Sequence, residues 1–74
     1  MKLELTEDQA LVLYEWLHRL DENDAFPVED ESEQYVLWSL AGKLESVLSQ
    51  PFRRDYLELV AQARARVRAT QSAG

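Results

Sequence analysis

Residues 37–48 read Leu-Trp-Ser-Leu-Ala-Gly-Lys-Leu-Glu-Ser-Val-Leu, and Leu37, Leu40, Ala41, Leu44, Val47 and Leu48 recur at the i, i+3, i+4, i+7 spacing of a helix packed on one side. Upstream, Asp30 and Glu33 offer an N-terminal cap, which opens this helix at about residue 31. Downstream, Gln50-Pro51 closes it near Ser49, because Pro51 has no amide hydrogen and pushes Gln50 out of the helical region. Tyr35, Trp38 and Gly42 lie off the main stripe, also at helical spacing, and form a second apolar face.

The segment before this helix carries a second helix signal. Thr6-Glu7-Asp8-Gln9 has the capping-box pattern, with two carboxylates suited to the positive end of a helix dipole. From there to about Leu20, placement at 100° per residue gathers Ala10, Leu13, Trp16, Leu17 and Leu20 on one face, with Val12 and Tyr14 at its margins. Leu11 falls on the far side beside Glu7 and His18, where the projection offers no core and suggests a partner contact. Between the two helices, Pro27 disfavours helix at Phe26, so residues 21–30 read as an acidic extended loop whose Phe26 and Val28 fold back onto the bundle. After Pro51, Tyr56, Val60, Ala63 and Val67 mark the buried line of a third helix from about 53 to 68, flanked by Leu57 and Leu59.

The predicted fold is therefore all-α, a small three-helix bundle with helices at about 6–20, 31–49 and 53–68. Residues 1–68 form a single domain, and residues 69–74, without periodicity, are expected to be a disordered tail. A chain of 74 residues has no room for a second domain. Its apolar fraction of 46% is too high for a disordered protein, and its two Gly and two Pro exclude collagen-like and low-complexity classes. With no Cys and one His, neither a disulfide nor a single-chain structural zinc site is expected. The longest apolar run, Ala10 to Tyr14, is far below the roughly 18 residues of a membrane span. No membrane association is expected, and a start at Met1-Lys2-Leu3-Glu4-Leu5 unlike a signal peptide places the chain in the cytoplasm by exclusion.

Charge is unevenly spread. Residues 1–33 hold eleven acids against Lys2 and Arg19, whereas residues 34–74 hold six bases against three acids, for a total of −6. Three readings follow: solvated charge, internal pairing of the acidic half with the Arg-rich last helix, or head-to-tail pairing of two chains. Asp21, Glu22, Asp24, Glu29, Asp30 and Glu31 are the candidate acidic surface, and Arg64, Arg66 and Arg68 the candidate basic one.

The residues offer little to catalysis. His18 is the only base of its kind and projects outward, so no nucleophilic triad is expected. Glu15 and His18 have the Glu-x-x-His spacing of di-iron bundles, but a complete site needs two chains and an inward face. A calcium loop starting at Asp21 would place Phe26 where Gly is needed and Ser32 where a bidentate Glu belongs. Glu29 and Glu31 lack any sign of a desolvated cleft for acid–base work. Neither Gly42 nor Gly74 belongs to a phosphate-binding loop. We therefore expect no enzyme, no cofactor and no metal site.

Seven aromatics in so small a chain exceed what its core can hold. Tyr35 and Trp38 are either covered by the Phe26-Pro27-Val28 segment or offered to a partner. The candidate partner-binding residues are Leu11, Tyr35, Trp38 and Phe26, and the expected function is a non-enzymatic protein-protein interaction module. Such a module serves as an inhibitor, an antitoxin or immunity protein, or an accessory subunit, with another protein or a second copy (a homodimer) as partner. The rival expectation is a nucleic-acid-linked regulator acting through the Arg-rich third helix, or an acidic protein occupying a nucleic-acid-binding partner. The net charge of −6 disfavours direct nucleic-acid contact.

Overall fold

The computed structural model describes residues 2–23 and 27–73, the last three by backbone only. Its elements are α1 (Glu7–Glu22), α2 (Glu31–Val47), a 3-10 turn at Gln50–Phe52, and α3 (Tyr56–Ala73). The all-α, three-helix architecture is the one the periodicity predicts, and no strand occurs among the described residues.

Each helix begins where its local chemistry satisfies free amides. At α1 the Gln9 amide donates to the Thr6 hydroxyl at 3.1 Å and the Thr6 amide donates to Gln9 Oε1 at 2.9 Å, completing the capping box. The helix continues two residues beyond Leu20, to Glu22. There the Asn23 side chain and backbone both donate to the Arg19 carbonyl, which gives the last turn its partners. At α2 the cap differs in detail from a capping box. The Asp30 carboxylate accepts from the Ser32 amide at 2.7 Å, while Glu33 Oε1 accepts from the Glu29 amide, one residue before the cap.

Helix α2 stops at Val47, two residues short of the expected end, because Leu48 turns extended (φ −100°, ψ 138°) and places its side chain in the core. Pro51 then sits in the first turn of the 3-10 segment, where its missing amide is harmless. The Gln50 side chain donates to Glu7 at 2.6 Å and ties this connection to the start of α1. Helix α3 starts at Tyr56 rather than 53 and continues through residues 69–73, the stretch expected as a tail. Those residues include no Gly or Pro, and the Thr70 hydroxyl donates to the Arg66 carbonyl at 2.9 Å, so nothing terminates the helix at Arg68.

One core cluster joins the elements: Ala10, Leu11 and Leu17 of α1, Leu44 and Leu48 at the end of α2, and Val60 and Ala63 of α3. Helices α2 and α3 pack chiefly against α1 rather than against each other. This arrangement corrects the placement of Leu11, which is 2% exposed and one of the largest fully buried side chains. A helix covered on two sides needs a wide apolar arc, and the arc runs from Leu17 through Ala10 and Tyr14 to Leu11 instead of centring on Leu13. Trp16, at the abandoned edge of the predicted face, is consequently exposed, as are Val47 at 76% and Leu57.

Truncating Leu11 removes a fully packed side chain, so Leu11→Ala should lower the unfolding free energy by about 2–5 kcal/mol. Val47→Ala should stay within about 0.5 kcal/mol of the parent in the same urea titration. An added Cβ at Gly42 meets no atom within 4 Å. Gly42→Ala in the middle of α2 should therefore stabilise by about 0.5–1 kcal/mol, read as a higher urea midpoint with an unchanged slope.

Candidate functional site

Helix α2 contributes only Leu44 to the fully buried core from within its own length, and Leu37, Leu40 and Ala41 are half-buried against α1. Its two flanks remain open. On one flank stand Tyr35, 54% exposed, and Trp38, 46% exposed, with ring centroids 6.0 Å apart at 48°. Both rings have their polar tips anchored while their apolar bodies face outward. The Trp38 indole donates to Asp21 Oδ1 at 2.8 Å across to α1, and the Tyr35 hydroxyl donates to Glu31 Oε1 one turn back on α2. That carboxylate contact pushes the Tyr35 phenol above its ordinary range. Beside this pair lies a hollow of about 390 Å³ between the helices, where Tyr14, His18 and Asp21 face Trp38 and Glu45.

The opposite flank holds a groove of about 420 Å³. Trp16 and Leu20 of α1, Val28 of the preceding loop, and Val36 and Leu37 of α2 give it apolar walls, and Glu33 stands at its edge. Neither Trp16 nor Val36 was among the expected partner residues. The helical projection assigns Trp16 to the core, and Val36 sits beside a stripe whose i, i+3, i+4, i+7 pattern is complete without it. The signal available in sequence was the number of apolar residues in 31–48, more than one packed face requires.

The expected partner set thus separates. Tyr35 and Trp38 share an exposed surface, Leu11 is core, and Phe26 lies outside the described residues, as does Asp24 of the acidic set. Asp21, Glu22, Glu29, Asp30 and Glu31 are all exposed. Asp30 is held below the usual carboxylate range by its hydrogen bonds from Ser32.

Of the basic set, Arg66 is engaged within the chain: its guanidinium donates twice to Asp8, both at 2.8 Å. Sequence halves of opposite charge meet here, 58 residues apart. Arg64 is half-buried and Arg68 is exposed. Tyr56 donates to Glu15 at 3.4 Å, and burial together with that neighbouring charge pushes its phenol well upward. Since Glu15 faces Tyr56 while His18 pairs with Glu22 at 3.1 Å and stacks on Tyr14, the Glu-x-x-His pair does not converge on one point. Among the described residues no group of three His, Cys, Asp or Glu side chains converges as metal ligands, and no helix is long and apolar enough to cross a membrane.

No family model, curated protein or solved structure matches the chain.

The Arg66 guanidinium holds the Asp8 carboxyl below its ordinary value, chiefly through the hydrogen bonds. A carboxylate depressed in the folded state contributes stability that is full above its unfolded value of about 3.9 and lost as pH falls through the lower folded value. The urea midpoint should therefore decline below about pH 4, and Asp8→Asn should flatten part of that decline while leaving the other carboxylates' share in place.

Proposed function

We propose that the protein is a non-enzymatic interaction module that binds another protein through the surface α2 leaves open. The observation that carries this reading is the exposure of Tyr35, Val36, Trp38 and Val47 on a single helix, against seven buried core residues among those described. Exposed apolar surface of this kind, with Trp and Tyr held in place by hydrogen bonds to their polar tips, suits recognition, because rigid aromatics give large contact area at little entropic cost. Asp21 and Glu31 hold Trp38 and Tyr35 in this way, so the ordering cost is met before binding. Support for a non-catalytic reading comes from His18, whose neighbours are Glu22 and Tyr14 rather than a nucleophile.

A tagged chain incubated with native lysate at low salt should retain a stoichiometric protein in a nucleic-acid-free eluate. The Tyr35→Ala, Trp38→Ala double variant should lose that protein and keep its helical circular dichroism, since both side chains are about half exposed. Loss of the helical signal would instead assign these residues to the core and sink the proposal. Nucleic acid in the eluate that washes off with salt would transfer the function to the Arg-rich α3.

A further inference from the structure

We infer that the groove between Trp16 and Val36 receives a cationic amphipathic helix from a partner protein, an inference that rests on the interaction-module reading and specifies the partner's chemistry. The groove is apolar within and acidic around. Between Arg19 and Lys43 the chain has seven carboxylates and no Lys or Arg, and this stretch supplies Leu20, Val28, Val36 and Leu37 to the groove. Glu33 lines the groove, and Glu29 and Asp30 are sequence neighbours of its lining residues Val28 and Ser32 at the α2 N-terminus, while Glu31 meets Tyr35 on the other flank.

Their hydrogen bonds leave the charge in place. Glu33 accepts from a backbone amide, Asp30 from the Ser32 amide and Glu31 from the Tyr35 hydroxyl. Among the described residues the ion pairs are His18 with Glu22, Arg53 with Asp55 and Arg66 with Asp8, so none of these four acids faces a base. Arg19, three residues beyond Trp16 on α1, is the nearest base in sequence on that helix.

Charge complementarity then selects among occupants. Two copies meeting face to face through this groove would bring their acidic rims together, which opposes an isologous dimer. A copy offering its basic α3 head to tail would present a helix whose Arg66 already serves Asp8, in a contact that leads to rings or filaments rather than a simple pair. A foreign helix with an apolar stripe and flanking Lys or Arg satisfies both the walls and the rim.

The test uses two synthetic peptides, each about 18 residues long, with the same Leu stripe and either Lys or Glu at every other position. Trp16 lines the groove, so its fluorescence, recorded in a Trp38→Phe background, reports occupancy. The Lys peptide should saturate this signal, weaken with added salt and lose about tenfold or more in affinity against Val36→Asp or the Glu29→Lys, Glu33→Lys double variant. Val36 is 66% exposed, so its substitution should leave the circular dichroism unchanged. Equal binding of the Glu peptide, or binding indifferent to Val36→Asp and the charge reversals, would overturn the inference while leaving the module reading intact. Mass growth with concentration in light scattering, abolished by Val36→Asp, would overturn it in favour of a second copy. If neither peptide binds but the lysate partner is captured, the groove inference fails alone; if that capture fails as well, both fall.

Discussion

The placement of α1 between the other two helices is the constraint on which the rest of the molecule depends. Leu11 and Leu17 are both nearly inaccessible, and the helix that carries them packs against both α2 and α3. Burying a side chain of this size contributes about 1.5–3 kcal/mol, and the chain has few such residues. Because α2 and α3 gain their burial from α1 rather than from each other, each is covered on one side only. The open surface of α2 is thus a consequence of how the core is made, since a third helix laid across both flanks would have hidden Val36 and Trp38.

Electrostatics follow the same geometry. The contact between Asp8 and Arg66 ties the first turn of α1 to the C-terminal half of α3, and Tyr56 at the start of α3 reaches Glu15 midway along α1, so α3 runs antiparallel to α1. This arrangement uses a small part of the charge asymmetry in the sequence. Four further acids, Glu29, Asp30, Glu31 and Glu33, stand at the start of α2, where the helix dipole and capping amides favour negative charge without a basic partner. A local stabilising device thereby leaves the carboxylate of Glu33 at the edge of an apolar groove.

The aromatic pair on the other flank illustrates a balance between anchoring and exposure. Trp38 reaches Asp21 on α1, so its ring lies along the helix interface rather than projecting freely. Tyr35 is fixed within α2 by Glu31. Both rings expose apolar surface that a small protein ordinarily hides, and both have lost the rotamer freedom that makes exposed aromatics costly to order.

Helix number, the Thr6 and Asp30 caps, the break at Pro51 and the Val60–Ala63 buried line were legible in the sequence, because capping, proline geometry and 3.6-residue periodicity act within a few residues of chain. The position of Leu11 was not, since a helical projection shows where apolar residues cluster but not how many neighbours a helix has. With α1 covered on two sides, Leu11 became core and Trp16 became surface, a rotation of the buried arc that no local pattern encodes. Likewise Leu44 and Leu48 are buried while Val47 of the same stripe is not, because the backbone leaves the helix at Leu48 to reach the core. The sequence by itself determined the elements and their charge. Only the tertiary structure decided which apolar residues remained outside, because burial depends on neighbours that chain order does not specify.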